Sequence, residues 1–331
     1  MRPRYRGQMA RQRENDACPG ALQTHSAADG QLARIRLPGG LIDAAQLEAV
    51  ALAAREFGAP GLELTSRGNI QIRAVSDAAA VADRLRAAGL LPSARHERVR
   101  NIVASPLSGR LGGVADVRAV TAALDAAVLR DDRIVDLPGR FLFSIDDGRG
   151  DVSGLGADAG VHLVDERRAA LLLAGRDTGV RIDTDDAVDT LLAVAHRFLD
   201  VRGKCWRVAE LADPQVLLDG LAPSSGAGAT WPVTTRPPVG WLAQTDGRTT
   251  LGAAVPLGVL DAEVARYLAA VAAPMAVTPW RSVLLFDLDE DTADVALRVL
   301  APLGLVFDEN SPWLAVSACT GSPGCAHSAA D

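Results

Sequence analysis

The chain has 331 residues, 48% apolar and 23% charged, with a net charge of −7, a balance that describes a folded globular protein with room for about two or three domains. The acidic excess argues against general nucleic-acid binding. No apolar run reaches the roughly 18 residues of a membrane span, and four cysteines in this length make no disulfide framework, which sets the cytoplasm as the expected compartment.

Residues 1–17 are basic and polar without an apolar h-region, so they read as a disordered start rather than a secretory signal. Turn residues at 18–22 and 28–30 lead into a strand over 32–37, and Pro38-Gly39-Gly40 turns the chain. Asp43 caps a helix over 42–57, in which Leu47, Val50, Ala51 and Ala54 keep helical spacing.

Residues 62–73 alternate with a period of two: Leu64, Ser66, Gly68, Ile70 and Ile72 on one face, Thr65, Arg67, Asn69, Gln71 and Arg73 on the other. That pattern predicts one strand with a core side and a polar side. The polar row holds two arginines around an amide pair and no acid. At roughly 3.3 Å per residue Arg67 and Arg73 stand about 20 Å apart, a span suited to a large, flat polyanion. Guanidinium forks pair bidentately with carboxylates, and amides both donate and accept. An edge strand with solvated arginines fits the same stretch. A second helix over 77–88, closed by Gly89, and a short strand near Leu91 complete a ferredoxin-like α+β unit over 18–95.

Residues 96–222 have a different texture. Strands are expected over 99–104, 140–145, 161–164 and 169–173, and helices over 117–129 and 185–201, with a Gly/Asp-rich loop at 146–160. The stretch 223–238, rich in Ser, Gly and Pro, reads as a linker. Beyond it the chain repeats itself. Leu37-Pro38-Gly39-Gly40-Leu41-Ile42-Asp43-Ala44 returns as Val255-Pro256-Leu257-Gly258-Val259-Leu260-Asp261-Ala262, an offset of 218. Leu64-Thr65 through Ile72 returns as Val277-Thr278 through Leu285, with Arg67 near Arg281, and Val103-Ala104-Ser105 as Val316-Ser317-Ala318, at offsets of 213 to 214. The order and the narrow offsets indicate duplication. A ligand is expected between the copies, gripped by paired guanidinium rows. Residues 239–308 form the second ferredoxin-like unit, and 309–331 open a further domain. Asp287 to Asp294 is expected to be a solvated helix cap.

Cys319 and Cys325, six positions apart around a Gly/Pro turn, have the makings of a soft-metal site, although two loop cysteines of no consequence fit equally. Cys18 and Cys205 lie far from them. His25, His96, His162 and His196 show no metal-ligand spacing, and the glycines of 148–156 lack a nucleotide-binding pattern.

Together, the 64–73 stretch, Arg100-Asn101-Ile102-Val103-Ala104-Ser105-Pro106 and the terminal Cys-x5-Cys resemble the nitrite/sulfite reductase superfamily. Cys18-Pro19-Gly20-Ala21-Leu22, Leu37-Pro38-Gly39-Gly40, Pro138-Gly139-Arg140-Phe141, the 146–151 loop and Trp206-Arg207-Val208 look like the precorrin-3B synthases within it. The resemblance runs from about residue 18 to 331. It implies duplicated ferredoxin-like half-domains with nitrite/sulfite reductase-type mixed α/β domains.

It also implies a tetrapyrrole site lined by Arg67, Asn69, Gln71, Arg73, Arg100, Asn101 and Arg140, and a [4Fe-4S] cluster on Cys319 and Cys325. The activity it implies is oxygenation of precorrin-3A with O2, an NADH-linked external electron donor and a non-heme iron whose position the residues do not mark. The alternatives are a siroheme-dependent sulfite or nitrite reductase and a non-catalytic tetrapyrrole-binding remnant. In the siroheme reductases a basic residue follows Arg140 by two positions; here it is Leu142. The family's later Cys-x3-Cys pair has no match, so the chain is expected to be C-terminally incomplete.

Overall fold

A computed structural model describes residues 16, 18–318 and 321–322. The first unit runs β1 (His25–Ala27), β2 (Gly30–Ile35), β3 (Leu41–Ile42), α1 (Ala44–Phe57), β4 (Gly61–Leu64), β5 (Ile70–Val75) and α2 (Ala78–Ala87). The middle unit runs β6 (Ile102–Ala104), α3 (Arg118–Arg130), β7 (Phe143–Asp146), β8 (Ala159–Leu163), β9 (Arg168–Leu173), β10 (Arg176–Asp183) and α4 (Ala187–Val201). The last runs β11 (Gly240–Ala243), β12 (Thr249–Ala254), β13 (Val259–Asp261), α5 (Ala262–Ala270), β14 (Met275–Val277), β15 (Ser282–Leu288) and α6 (Glu290–Leu300).

The two copies complete each other's sheets. The first sheet has the order β1-β2-β5-β4-β13 and the third β11-β12-β15-β14-β3, so each takes its last strand from the other copy. Leu41 and Ile42 pair with Ala276 and Met275, and Val259 to Asp261 pair with Glu63 to Gly61. The duplication extends to backbone detail. Asp43 and Asp261 each cap the following helix by accepting backbone N–H bonds. A bulge interrupts β2–β5 between Gln31 and Ala33, and another interrupts β12–β15 between Thr249 and Leu251. Apolar faces of both sheets and the helices α1, α2, α5 and α6 share one core that includes Leu47, Val50, Leu62, Ile70, Ile72, Leu268 and Leu285. Near the pseudo-twofold, Glu48 binds Arg266, its own counterpart at offset 218 (Nε to Oε1 2.8 Å).

The strand expected over 62–73 is a hairpin. Thr65 N–H donates to Asn69 O, Gly68 N–H returns to Thr65 O, and Gly68 takes φ +66°. Leu64 pairs with Ile70. Both positions are even, so the alternation passes through the turn unbroken and imitates one longer strand. Arg67 therefore sits at a hairpin tip, not at one end of an extended row.

The middle sheet has the order β10-β9-β8-β7-β6, parallel from β6 to β8 and antiparallel beyond. Helices α3 and α4 cover one face through Leu124, Val128, Leu191, Val194 and Phe198. Strands β1, β3, β10 and β13 were not expected, being either very short or, in β10, interrupted by the positive φ of Gly179. No strand forms near Leu91, where Pro92 opens a run of turns, although Leu90 and Leu91 are buried. Nor does a strand form at 316–318, which follow a short helical turn. The Ser/Gly/Pro-rich stretch lies strapped to the middle unit: Ser224 N–H donates to Gly179 O, Asp177 N–H to Ala229 O, and Trp231 packs on His162 with ring centres 4.4 Å apart.

Candidate functional site

On the first sheet, Ala33, Ile35, Ile70 and Ile72 point into the core, which sends Arg34, Arg36, Gln71 and Arg73 to the opposite face. Arg34 Nε donates to Gln71 Oε1 at 2.7 Å, and Gln71 Nε2 donates to Glu63 at 2.9 Å, so a polar ladder crosses three strands.

Five guanidinium groups gather where this face meets the middle unit: Arg34 from β2 and Arg36 just after it, Arg67 from the hairpin tip, Arg140 from the loop before β7, and Arg207 from the loop after α4. Burial brings Arg36 down to about 10, resisted by Cys18 and reinforced by Arg34 and then Arg67. Burial likewise brings Arg67 to about 10, with Arg207 adding to the fall and Cys18 opposing it. Arg34 is lowered by burial, with Arg140 a smaller contributor. Buried guanidinium groups that also repel one another make a place where an anion would be held.

One buried carboxylate organises the far side. Asp158 accepts from Arg207 Nε at 2.6 Å, Val208 N–H at 2.7 Å and Leu142 N–H at 2.9 Å. Arg140 lies over the Trp206 ring, 5.3 Å from its centre. Gly139, just before it, is clamped: its carbonyl accepts from Cys18 Sγ at 3.1 Å and Asn101 Nδ2 at 2.8 Å, and its N–H donates to Asp16. Arg36 is 3% exposed, with Nη2 on Pro19 O, Arg98 O and Cys18 Sγ.

The seven ligand-binding candidates therefore have distinct surroundings. Arg67 and Arg140 stand in the cluster with no carboxylate partner among the described residues. Gln71 orients Arg34, and Asn101 holds the Gly139 peptide. Asn69 accepts from Leu37 N–H at 2.9 Å and fixes the turn after β2. Arg73 forms a fork with Asp29 (2.6 and 2.7 Å), with Glu63 also 3.7 Å away, so acids do accompany the polar row. Arg100 forms a fork with Asp125 of α3 (2.6 and 2.7 Å). Arg34, Arg36 and Arg207 were missed; the alternation of Arg34 and Arg36 in a strand with apolar Ala33, Ile35 and Leu37 was the available signal.

Among the described residues no second guanidinium row forms. Trp280 N–H to Thr278 Oγ1, Arg281 N–H to Thr278 O and Thr278 N–H to Ser282 O repeat the hairpin bonds of Arg67, Gly68 and Thr65 at an offset of 213. Arg67 thus corresponds to Trp280, and Arg281 to Gly68. Gln71 and Arg73 correspond to Leu284 and Phe286, which Leu107 and Leu111 of the middle unit cover. Between the copies lies a cavity of about 690 Å³, walled by Glu63, Gln71 and Arg73 on one side and by Leu257, Val259 and Arg281 on the other. A pocket of about 320 Å³ adjoins it, lined by Trp280, Arg281 and Trp313.

Cys319 and Cys325 lie outside the described residues. Cys18 Sγ is held by Gly139 O and the two arginines, and Cys205 Sγ donates to Glu210 O at 3.4 Å. The described residues thus assemble no thiolate set for an iron–sulfur cluster, and no chemistry is routed through one. Asp146, Asp147 and Asp151 bring carboxylate oxygens within 4.8 Å of one another. Those carboxylates are already engaged: Asp146 accepts the N–H groups of Gly148, Gly150, Val152 and Ser153, and Arg149 binds Asp147.

Residues 25–88 and 242–303 each match the nitrite/sulfite reductase ferredoxin-like half domain. The chain carries the duplicated ferredoxin-like half-domains of the nitrite/sulfite reductases. A precorrin-3B synthase from a Sinorhizobium species is 28% identical over 326 residues, covering 94% of this chain and 70% of that protein. A ferredoxin–nitrite reductase of Synechococcus elongatus is 32% identical over 127 residues, 36% of this chain and 25% of that protein. The solved structure of Mycobacterium tuberculosis NirA shares the fold, with a TM-score of 0.74 at 20% identity, over 88% of this chain and 60% of that one. The chain thus spans 70%, 25% and 60% of the lengths of these three proteins. No helix among its described residues is long and apolar enough to cross a membrane.

Proposed function

We propose that the protein is an oxidoreductase of precorrin-3B synthase type, hydroxylating precorrin-3A at C20 with closure of a ring acetate to a lactone. Substrate, O2, two electrons and two protons give product and water; the electrons come from an external, NADH-linked donor. A non-heme iron would supply oxygen activation. The arginine cluster would bind the carboxylates of the macrocycle rim, with Arg67 and Arg140 in contact, Gln71 positioning Arg34, Asn101 positioning Arg140 through the Gly139 peptide, and Arg73 and Arg100 bracing the walls through their acids.

The observation that carries this reading over the reductase is Leu142. It is 3% exposed and packs with Val103, Val152 and Ala157. A second basic residue, which the siroheme reductases use to deliver protons to a small oxyanion, would there have to bury its charge among apolar side chains. The cluster can hold a polycarboxylate but lacks that proton donor, which suits a tetrapyrrole that is itself the substrate.

The test is anaerobic loading with precorrin-3A followed by O2 and reductant. The expected product is heavier by one oxygen atom, and Arg67→Ala weakens precorrin-3A binding at least about tenfold, the scale of one lost charge-assisted pair. Unchanged affinity in Arg67→Ala counts against the site. Methyl-viologen-driven consumption of sulfite or nitrite, with heme-like absorption bands, would select the reductase. Tight precorrin binding with no turnover and no iron would select a non-catalytic remnant.

A further inference from the structure

Arg281 occupies a position that glycine fills in the first copy. Its φ is +59°, against +66° for Gly68 at the equivalent place in the hairpin. L side chains adopt that region only against a steric penalty. The stem of Arg281 passes over Gly258, where an added Cβ would lie 2.5 Å from Arg281 Cδ, so the opposing turn leaves the space clear. The guanidinium has no hydrogen-bond or ion-pair partner among the described residues. Arg281 also lines both the 690 Å³ cavity and the adjoining 320 Å³ pocket, at the wall they share. Ser66, beside Arg67, lines both as well.

An arginine kept for stability would be expected to spend its charge on a carboxylate, as Arg73, Arg100 and Arg110 do. Arg281 combines backbone strain, a cleared path and an uncommitted charge at a cavity wall. Strain of this kind persists where the surrounding structure imposes it, and it concentrates at ligand sites. We infer that Arg281 is an anion-binding residue of the inter-copy cavity, taking a macrocycle carboxylate from the second copy's wall while the arginine cluster holds others from the first. This rests on the tetrapyrrole reading above. The doubled fold would then contribute one cation from the second hairpin, displaced by one residue from the position that the repeat suggests.

The test uses uroporphyrin III, which carries eight carboxylates, titrated against the wild-type chain, Arg281→Gly and Arg67→Ala. Quenching of tryptophan fluorescence reads binding, and thermal melts are run in parallel. Arg281→Gly is expected to weaken binding about tenfold, more at low salt than at high, while its melting temperature equals or exceeds that of the wild type because glycine accepts the backbone conformation. Weakened binding by Arg67→Ala with unchanged binding by Arg281→Gly overturns this inference and leaves the tetrapyrrole reading standing. A lower melting temperature in Arg281→Gly assigns Arg281 a structural role and also overturns it. The converse, binding sensitive to Arg281 but not to Arg67, sustains the inference and removes the arginine cluster from the reading. No binding by the wild-type chain overturns both.

Discussion

Among single residues, the carboxylates of the 146–151 loop show how environment divides one chemistry into two. Burial raises the Asp146 carboxyl, but His162 and the N–H groups of Gly150 and Ser153 outweigh it and hold it down to about 2. Asp151 has one hydroxyl partner, Ser105 Oγ at 2.6 Å, and burial together with the Asp146 and Asp147 charges pushes it up to about 7, against Ser105 and Arg149. The folded pKa of Asp151 lies above its ordinary 3.8, so between about pH 4 and pH 7 the native state keeps a proton that the unfolded chain has released. Stability from this group is full below that window and falls as pH rises through it, by at most about 1.4 kcal/mol per pH unit. Asp151→Asn removes the titration and can still accept from Ser105. Its advantage over the wild type in urea unfolding is expected to grow from pH 4 to pH 7 and stay level above. An advantage of the same size at pH 5 and pH 8 would contradict the assignment.

Arg67 and Arg140 could be picked out from the sequence, but their uncommitted state could not. Arg73 and Arg100 have the same chemistry and comparable pattern signals. Asp29 and Asp125 neutralise them from 44 and 25 residues away, and no local spacing announces such partners.

At the scale of elements, the exchange of β3 and β13 depends on close backbone approach. Gly40 has φ +74°, and a Cβ there would lie 2.0 Å from Val277 O, beside the β14–β3 pairing. Gly89 has a similar φ of +73° and nothing within 4 Å. Gly40→Ala is expected to cost about 2–4 kcal/mol, strain and overlap together, and Gly89→Ala about 1–2 kcal/mol from strain alone. Chemical denaturation of the two variants checks the difference, and equal losses would remove the argument from close approach. The helices were readable because caps and apolar spacing are local: Asp43, Asp77, Asp261 and Asp289 all accept N–H bonds from the turns they begin. The 65–69 turn was not, because an even spacing hides a hairpin inside an alternating run.

For the whole molecule, one ion pair ties the middle unit to the second copy. Arg110 forms a fork with Asp287 (2.9 and 2.8 Å) while lying over the Phe286 ring, 4.0 Å from its centre. Asp287 is itself strained at φ +61° and accepts from Gln244 at 2.9 Å, so the acid expected in a solvated cap is an interface residue. Arg110→Ala is expected to lower stability by about 2–4 kcal/mol, with Arg110→Lys recovering less than half because an ammonium cannot reproduce the fork. Hydrogen exchange should rise together in 105–111 and in β15. A rise in only one of them would mean that the pair does not couple the two units.

By itself the sequence determined the duplication, the helices with their caps and the alternating apolar faces of the strands, since each is written in contacts between near neighbours or in a repeated order; the turn that folds the arginine-bearing stretch into a hairpin was not among them. Tertiary structure alone decided which copy keeps a polar sheet face, which arginines remain free of acids, and where the two hairpins align. Those outcomes depend on pairs tens to hundreds of residues apart and on a one-residue register, and charge neutralisation across space leaves no periodic trace along the chain.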